Sequence, residues 1–407
     1  MNPATKEVLL LTSTNLACNP RCLKELRMLR EQGHRVVLVA FELHNWTTDK
    51  EKMLREELKG VEFHYLDAGR HPLMPWLKAT VIEQVSRRLS SLAPSDLWLA
   101  AMSINKRSWM LQQWVKQHRK KYDLIIAHNP PAFYAADWLA NATGSHFAID
   151  IEDYHPGEGS GPFQSRCATL LMRRLLPKAA YVSFASPLIK EYSQRLVNPG
   201  RTDHWVVVNN TFSRTEFAAP APVDAAEPVR LIWFSQYINY GRGLEQMLPV
   251  LDEFRDRVRL TLVGSGREPF LSKETAGREY VRVLDAMPQA VVHRSLSNYD
   301  VGLAIEDGSA DINKDICISN KIWSYLLSGL YIVSSDTKGQ LRFMEEHPGN
   351  GVCSSLQADD LRKAIVHLLD HTAAIREGRA GRYDQGASAA WENESAILAA
   401  QWKPILG

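Results

Sequence analysis

Ser319-Asn320-Lys321-Ile322-Trp323-Ser324-Tyr325-Leu326-Leu327-Ser328-Gly329-Leu330-Tyr331-Ile332-Val333-Ser334-Ser335-Asp336 reads as a helix start, a short helix, a glycine stop and a buried strand. Ser319 is a residue type that caps helix N-termini, and the free N–H groups there, with Lys321, form a seat for an anion. Gly329 permits the left-handed turn that ends a helix. Tyr331 to Ser334 is apolar and β-branched, so it predicts a strand, and Ser335 and Asp336 follow at its C-terminal end. In an open α/β sheet that end is where ligands bind. Alone, the stretch fits equally a ligand-free αβ unit, and the rest of the chain has to decide.

Working outward, the same alternation runs through both halves. Val8–Thr12 predicts a strand, Pro20 to Gln32 a helix, and Arg35–Ala40 a second strand, which makes a βαβ unit and a parallel sheet. Strands are expected at Glu62–Leu66, Leu124–Ala127, Phe147–Asp150, Tyr181–Phe184 and Trp205–Val208. A small-residue run with three prolines, Ala218 to Pro228, reads as a semi-rigid connector. A second series follows, with strands at Leu231–Phe234, Leu260–Val263, Val281–Leu284 and Val301–Ile305, a long loop over Glu306–Ile318, and helices at Ala358–Asp370 and Ala387–Trp402. The expected organisation is a first domain over 1–217, a connector at 218–228, a second domain over 229–385 and a C-terminal helix over 386–407 that returns to the first. The fold class is α/β, with two doubly wound domains whose strand-end loops look into a shared cleft.

The chain has 407 residues, 45% of them hydrophobic and 23% charged, with a net charge of +2, so bulk charge does not call for nucleic acid. Met1 to Lys6 is polar and Val8–Leu11 too brief for a secretory core, and no apolar run approaches the ~20 residues of a membrane span. Five cysteines without metal-type spacing fit a reduced, cytoplasmic protein. Residues 70–121 differ in texture: ten Lys or Arg stand against Glu83 and Asp96, and Trp76, Trp98, Trp109 and Trp114 fall here. That mixture suits an anionic membrane surface; it equally suits a helical insertion whose tryptophans are core.

In order and spacing, the chain resembles the two-Rossmann-domain (GT-B) glycosyltransferases, in particular the retaining family-4 group that builds bacterial polysaccharides. The resemblance is carried by Asn19-Pro20-Arg21-Cys22-Leu23-Lys24-Glu25-Leu26 with Gly33-His34-Arg35-Val36, by Val206 to Phe212, by Tyr240-Gly241-Arg242-Gly243-Leu244-Glu245, by Leu262-Val263-Gly264-Ser265-Gly266 and by the opening stretch. It implies an N-terminal acceptor-binding domain, a C-terminal nucleotide-sugar-binding domain and a saccharide or lipid-linked acceptor. Donor-binding residues then fall at Arg21, Gln236, Arg242, Gly243, Gly264, Asn320, Lys321 and Ser324. The departures are specific: Ser324 and Ile316 stand where the family carries its paired glutamates, and Gln236 stands where it carries a first basic residue. Asp311, Asp315, Glu306 and Asp307 are the nearby carboxylates that could substitute.

The chemistry needs cations and N–H donors for a departing diphosphate, which Arg242, the backbone beside Gly243, and Lys321 can supply. No metal or other cofactor is then required. Asp150-Ile151-Glu152-Asp153 slightly resembles the Asp-x-Asp of single-domain glycosyltransferases but lies in the first half, on the acceptor side. His128, Glu152 and Asp153 are the catalytic candidates, because they end strands and can handle protons. Asn129, His155 and Glu158 are the acceptor-binding candidates. A sugar-nucleotide epimerase and a non-catalytic assembly protein remain as competing readings. A dehydrogenase does not fit, since no Gly-x-Gly-x-x-Gly follows the first strand.

Overall fold

The computed structural model describes residues 5–197, 200–221 and 227–407, and the connector expected at 218–228 lies partly outside them, at 222–226. The chain divides into two units, one of residues 1–208 with 395–407, the other of residues 209–394.

The first unit contains β1 (Glu7–Thr12), α1 (Pro20–Glu31), β2 (Arg35–Glu42), α2 (Thr48–Glu57), β3 (Glu62–Asp67), α3 (Leu73–Leu92), α4 (Leu97–Ile104), α5 (Lys106–Gln117), β4 (Leu124–His128), α6 (Pro130–Thr143), β5 (His146–Ile151), α7 (Pro162–Leu175), β6 (Val182–Phe184), α8 (Pro187–Val197) and β7 (Trp205–Val207). Its seven strands are all parallel, in the order β3-β2-β1-β4-β5-β6-β7. Val8, Leu9, Leu10 and Leu11 of β1 are wholly inaccessible, the continuous apolar run of a strand covered on both faces. The order reverses between β1 and β4, where Thr12 pairs with His128 in register. That switch point is where such a sheet opens a crevice at its C-terminal edge. Asn19 caps α1 by accepting from the Cys22 N–H at 2.9 Å, and Pro20 fills the first helical position.

The second unit contains β8 (Val229–Ile238), α9 (Leu244–Asp252), β9 (Val258–Gly266), β10 (Val281–Leu284), α10 (Gln289–Ser295), β11 (Val301–Ala304), α11 (Ile312–Ile316), α12 (Asn320–Leu327), β12 (Tyr331–Ser335), α13 (Lys338–Glu346), β13 (Gly351–Ser354), α14 (Ala358–Asp370), α15 (Thr372–Glu377) and α16 (Arg379–Gly386). α17 (Trp391–Leu406) ends the chain; its Trp402 indole donates to Tyr181 Oη at 2.8 Å inside the first unit. The six strands are parallel in the order β10-β9-β8-β11-β12-β13, with the reversal between β8 and β11. Leu231 and Trp233 enter the core on one face of the sheet, while Ile232 enters the core on the other. This period of two with both faces buried makes the domain doubly wound.

The observed elements depart from the sequence reading in several places, among them the added helices α2, α15 and α16. β8 continues past Phe234 to Ile238 through a register irregularity between Phe234 and Tyr237, so Gln236 lies in a strand and not in a loop. The long loop after β11 contains α11, capped by Asp311, which accepts from the Lys314 N–H at 2.8 Å. α13 and β13, an αβ pair that adds the edge strand, had no counterpart in the sequence reading. Ser319 does not cap α12 with its side chain; its hydroxyl donates instead to Glu306 Oε1 at 3.3 Å. Gly329 does end α12, at φ +70°, and a Cβ there would stand 2.7 Å from Arg379 O and from the Tyr383 backbone nitrogen.

Candidate functional site

Two groups of charged side chains stand at the switch points, one in each unit. In the first unit, β4 delivers His128, which is wholly buried. Its Nε2 lies 3.5 Å from Glu25 Oε2 and its Nδ1 lies 3.5 Å from Asp150 Oδ2. Arg21 is equally buried: Nε is 3.5 Å from Glu25 Oε1, Nη2 is 3.4 Å from Asp150 Oδ1, and Nη1 donates to Val208 O at 2.8 Å. Ser183 Oγ adds a 2.5 Å hydrogen bond to Asp150 Oδ1. Arg21 and Glu25 share one face of α1, four residues apart, so the helix presents both partners to the strand ends together.

This network controls protonation. Burial works against a charged His128, but the neighbouring Cys22, Glu25 and Asp150 outweigh it and hold its pKa well above the usual histidine value. Burial also works against an ionised Asp150, and Arg21, His128 and Ser183 reverse that, keeping its carboxyl below the ordinary range. For Glu152 the balance runs the other way: burial first, then the negative charge of Asp150, outweighs the opposing pull of His128 and Arg21 and pushes it up to about 7. His128, Asp150 and Glu152 each bring one ligand-type atom within 4.8 Å of the others. A cation there would share Asp150 with the Arg21 guanidinium, which opposes its binding.

The remaining candidates of this unit are separately placed. Asn129 precedes α6 at φ +68°, ψ +146°, a conformation that costs a non-glycine residue energy, and its Oδ1 accepts from Thr12 Oγ1 at 3.1 Å. His155 is buried, with Nδ1 3.1 Å from Glu158 Oε1; burial lowers its pKa, and Glu158, Asp153 and Glu152 more than restore it, leaving it raised. Asp153 is half-buried on the loop after β5.

In the second unit Gly243 opens α9 at φ +81°, with Arg242 half-buried before it. Glu306, just past β11, is the centre of the group. Its carboxylate pairs with Lys321 Nζ and accepts from Ser319 Oγ, and its N–H donates to Ser335 Oγ at 2.9 Å. Burial would raise its pKa; Lys321, Arg242 and Ser319 together hold it below the ordinary glutamate range. Lys321 Nζ lies 5.6 Å from the Trp233 ring centroid, and Asn320 is exposed at the start of α12.

Ser324 points elsewhere. It is wholly buried, its Oγ 3.0 Å from His293 Nε2, and His293 Nδ1 is 2.8 Å from Glu216 Oε2. Phe217 stacks on the His293 ring at 4.5 Å. Gln236 is exposed and reaches Tyr237 Oη at 3.5 Å, while Gly264 lies within β9, where a Cβ would meet Ser235 O. Of the substitute carboxylates, Asp311 caps α11, Asp315 holds Lys338, and Asp307 accepts from Ser309. Glu306 alone of the four faces Lys321.

Glu25 and Asp150 were missed as a working pair by the sequence reading. The only signal was their charge: Glu25 one turn after Arg21, and Asp150 at the head of an acidic strand end.

Residues 18–211 match the glycosyl transferase 4-like domain family. That match spans just under half of the chain and lies almost wholly in the first unit. Among similar solved structures are Anabaena HepE in complex with UDP, at 15% identity and TM-score 0.67, covering 98% of this chain and 100% of that one. Sucrose-phosphate synthase from Thermosynechococcus elongatus matches at 14% identity and TM-score 0.65, covering 98% and 99%. The lipopolysaccharide outer core galactosyltransferase WaaB, in its apo form, matches at 15% identity and TM-score 0.59, covering 97% and 99%. At these identities the likeness establishes the GT-B fold. No curated protein sequence matches the chain. Ile316 and Ser324 stand at the two positions where the resemblance expects paired glutamates.

Proposed function

We propose that the protein is a glycosyltransferase that moves a sugar from a nucleotide-sugar donor to a saccharide or lipid-linked acceptor during the synthesis of a surface polysaccharide. The observation that carries this reading is the Arg242–Glu306–Lys321 group, two cations around one carboxylate at the switch point of the second sheet. The glycosyl transferase 4-like domain in the first unit supports it, as do neighbours whose names include a galactosyltransferase and a UDP complex.

In this reading Arg242, the backbone around Gly243, and Lys321 receive the diphosphate, with Lys321 exchanging Glu306 for a phosphate oxygen. Gln236, Gly264 and Asn320 line the donor side. The hydroxyl of Ser324, turned to His293, leaves the ribose to another group. On the acceptor side Asn129, His155 and Glu158 hold the saccharide near His128, Glu152 and Asp153. The acceptor oxygen bonds to the anomeric carbon as the bond to phosphate breaks. With retention, the departing phosphate takes the acceptor's proton; this is the course we propose. With inversion, Glu152, poised near neutrality, is the natural base. No metal enters either course. A lipid-linked acceptor would place the enzyme on the inner face of the cytoplasmic membrane.

The burial of Ser324 against His293 favours one alternative, a non-catalytic GT-B-like assembly protein. Turnover of a panel of nucleotide sugars, with and without saccharide acceptors, decides. Acceptor-dependent release of nucleoside diphosphate supports the transferase. Binding without release supports the alternative, and acceptor-independent conversion of the sugar indicates an epimerase.

A further inference from the structure

We infer that the outer face of α3 docks the protein onto an anionic lipid surface. The inference stands on that surface alone and not on the transferase reading. α3 packs against α4 and α5, and the residues it buries are small: Ala79, Ser86 and Ser90. Of its large apolar side chains, Trp76 and Ile82 are half-buried, while Leu73, Leu77, Val81, Val85, Leu89 and Leu92 are exposed, Leu92 by 83%, as is Met74 on the same side. At about 100° per residue they fill an arc of about 160°. A helix of a water-soluble domain normally turns that stripe inward, so α3 is amphipathic in reverse. No helix among the described residues is long and apolar enough to cross a membrane, so α3 would lie along the surface.

The charges on the same arc select the occupant. Lys78 and Arg88 lie among the apolar side chains and are exposed. The only acid of α3, Glu83, falls outside the arc and is engaged by Arg87 Nη2 at 2.6 Å and the Lys106 N–H at 3.1 Å. Every charge on the face is therefore cationic, and Gln84 and Ser91 are the exposed uncharged polar side chains among its apolar ones. A second copy of the chain is a poor partner: parallel pairing stacks Lys78 on Lys78, and antiparallel pairing about the middle of the stripe sets Lys78 against Arg88. Anionic headgroups satisfy both charges, and acyl chains cover the leucines and valines. Trp98, exposed just beyond the end of α3 and tethered by its indole N–H to Gln112 Oε1 at 3.1 Å, presents an amphipathic ring of the kind found at headgroup level.

Co-sedimentation of the full chain with vesicles of phosphatidylcholine alone or with a third phosphatidylglycerol tests this. The wild type is expected to bind the anionic vesicles and to release in high salt. Lys78→Glu with Arg88→Glu weakens binding about tenfold or more. Leu77→Asp with Val81→Asp abolishes it without changing the circular dichroism spectrum, since both positions are exposed. Three results overturn the inference: no binding to anionic vesicles at low salt, binding insensitive to both pairs of changes, or a dimer in light scattering that the Leu77→Asp and Val81→Asp pair converts to monomer.

Discussion

The two charged groups occupy equivalent topological positions and are built in opposite ways. In the first unit Arg21, Glu25, His128 and Asp150 are all essentially inaccessible and balance one another's charge across ion pairs of 3.4–3.5 Å, with Glu152 at their edge. In the second, Arg242 and Lys321 outnumber Glu306, and Arg242 is half-open to solvent. The closed network has no net charge to offer an anion; it ties strand ends together, while burial first and Asp150 second raise the proton affinity of Glu152 beside it. The open group keeps an excess cation and a lysine that can change partners. A charged cluster at a strand end is thus a closed framework in one unit and, in the function proposed, an anion seat in the other, and burial distinguishes them.

The largest expected effect comes from cutting the framework. Arg21→Ala leaves Glu25 and Asp150 buried without their guanidinium, and a loss of about 3–5 kcal/mol of unfolding free energy is expected in urea titrations. A fully stable variant with weakened nucleotide affinity would instead make Arg21 part of the seat.

Next is proton linkage. Glu152 titrates near about 7 against an ordinary 4.5, so the folded state holds its proton more tightly than the unfolded chain. Its contribution is complete below pH 4.5 and is lost as pH rises toward 7, by up to about 3 kcal/mol. Glu152→Gln should flatten the stability profile across that window, and an unchanged profile would remove the raised proton affinity from the account.

At the seat, Arg242→Ala and Lys321→Ala should each weaken nucleoside diphosphate binding about 10- to 100-fold, measured by calorimetry. The smallest effect belongs to Ser324→Ala. It deprives His293 of a partner and should cost about 1 kcal/mol while leaving nucleotide affinity unchanged. A drop in affinity would mean that Ser324 reaches the ribose.

Much of the fold could be read from periodicity. The βαβ unit from Val8 to Ala40 and the Gly329 stop appear where apolar runs and turn residues placed them. The extension of β8 escaped because Ser235, Gln236 and Tyr237 are not an apolar run, and their strand geometry comes from pairing with β9. β13 escaped because Gly351-Val352-Cys353-Ser354 is too short to show a period, and its neighbour β12 defines it. His128 and Lys321 stand out in the sequence because each lies at the end or start of an element. Glu25 was not, since its role depends on meeting His128 across the sheet edge. Ser324 is a donor-binding candidate in the sequence, at a position where the resemblance expects a glutamate, and only the packing of α10 shows that its hydroxyl meets His293.

The central claim is that Glu306 holds Lys321 in reserve for a diphosphate. Calorimetric titration of Glu306→Gln with UDP, GDP and ADP, beside the wild type and Lys321→Ala, tests it most directly. The account predicts that the nucleotide bound by the wild type binds Glu306→Gln several-fold more tightly, because Lys321 is released, and binds Lys321→Ala more weakly. Equal affinity across all three proteins would contradict it.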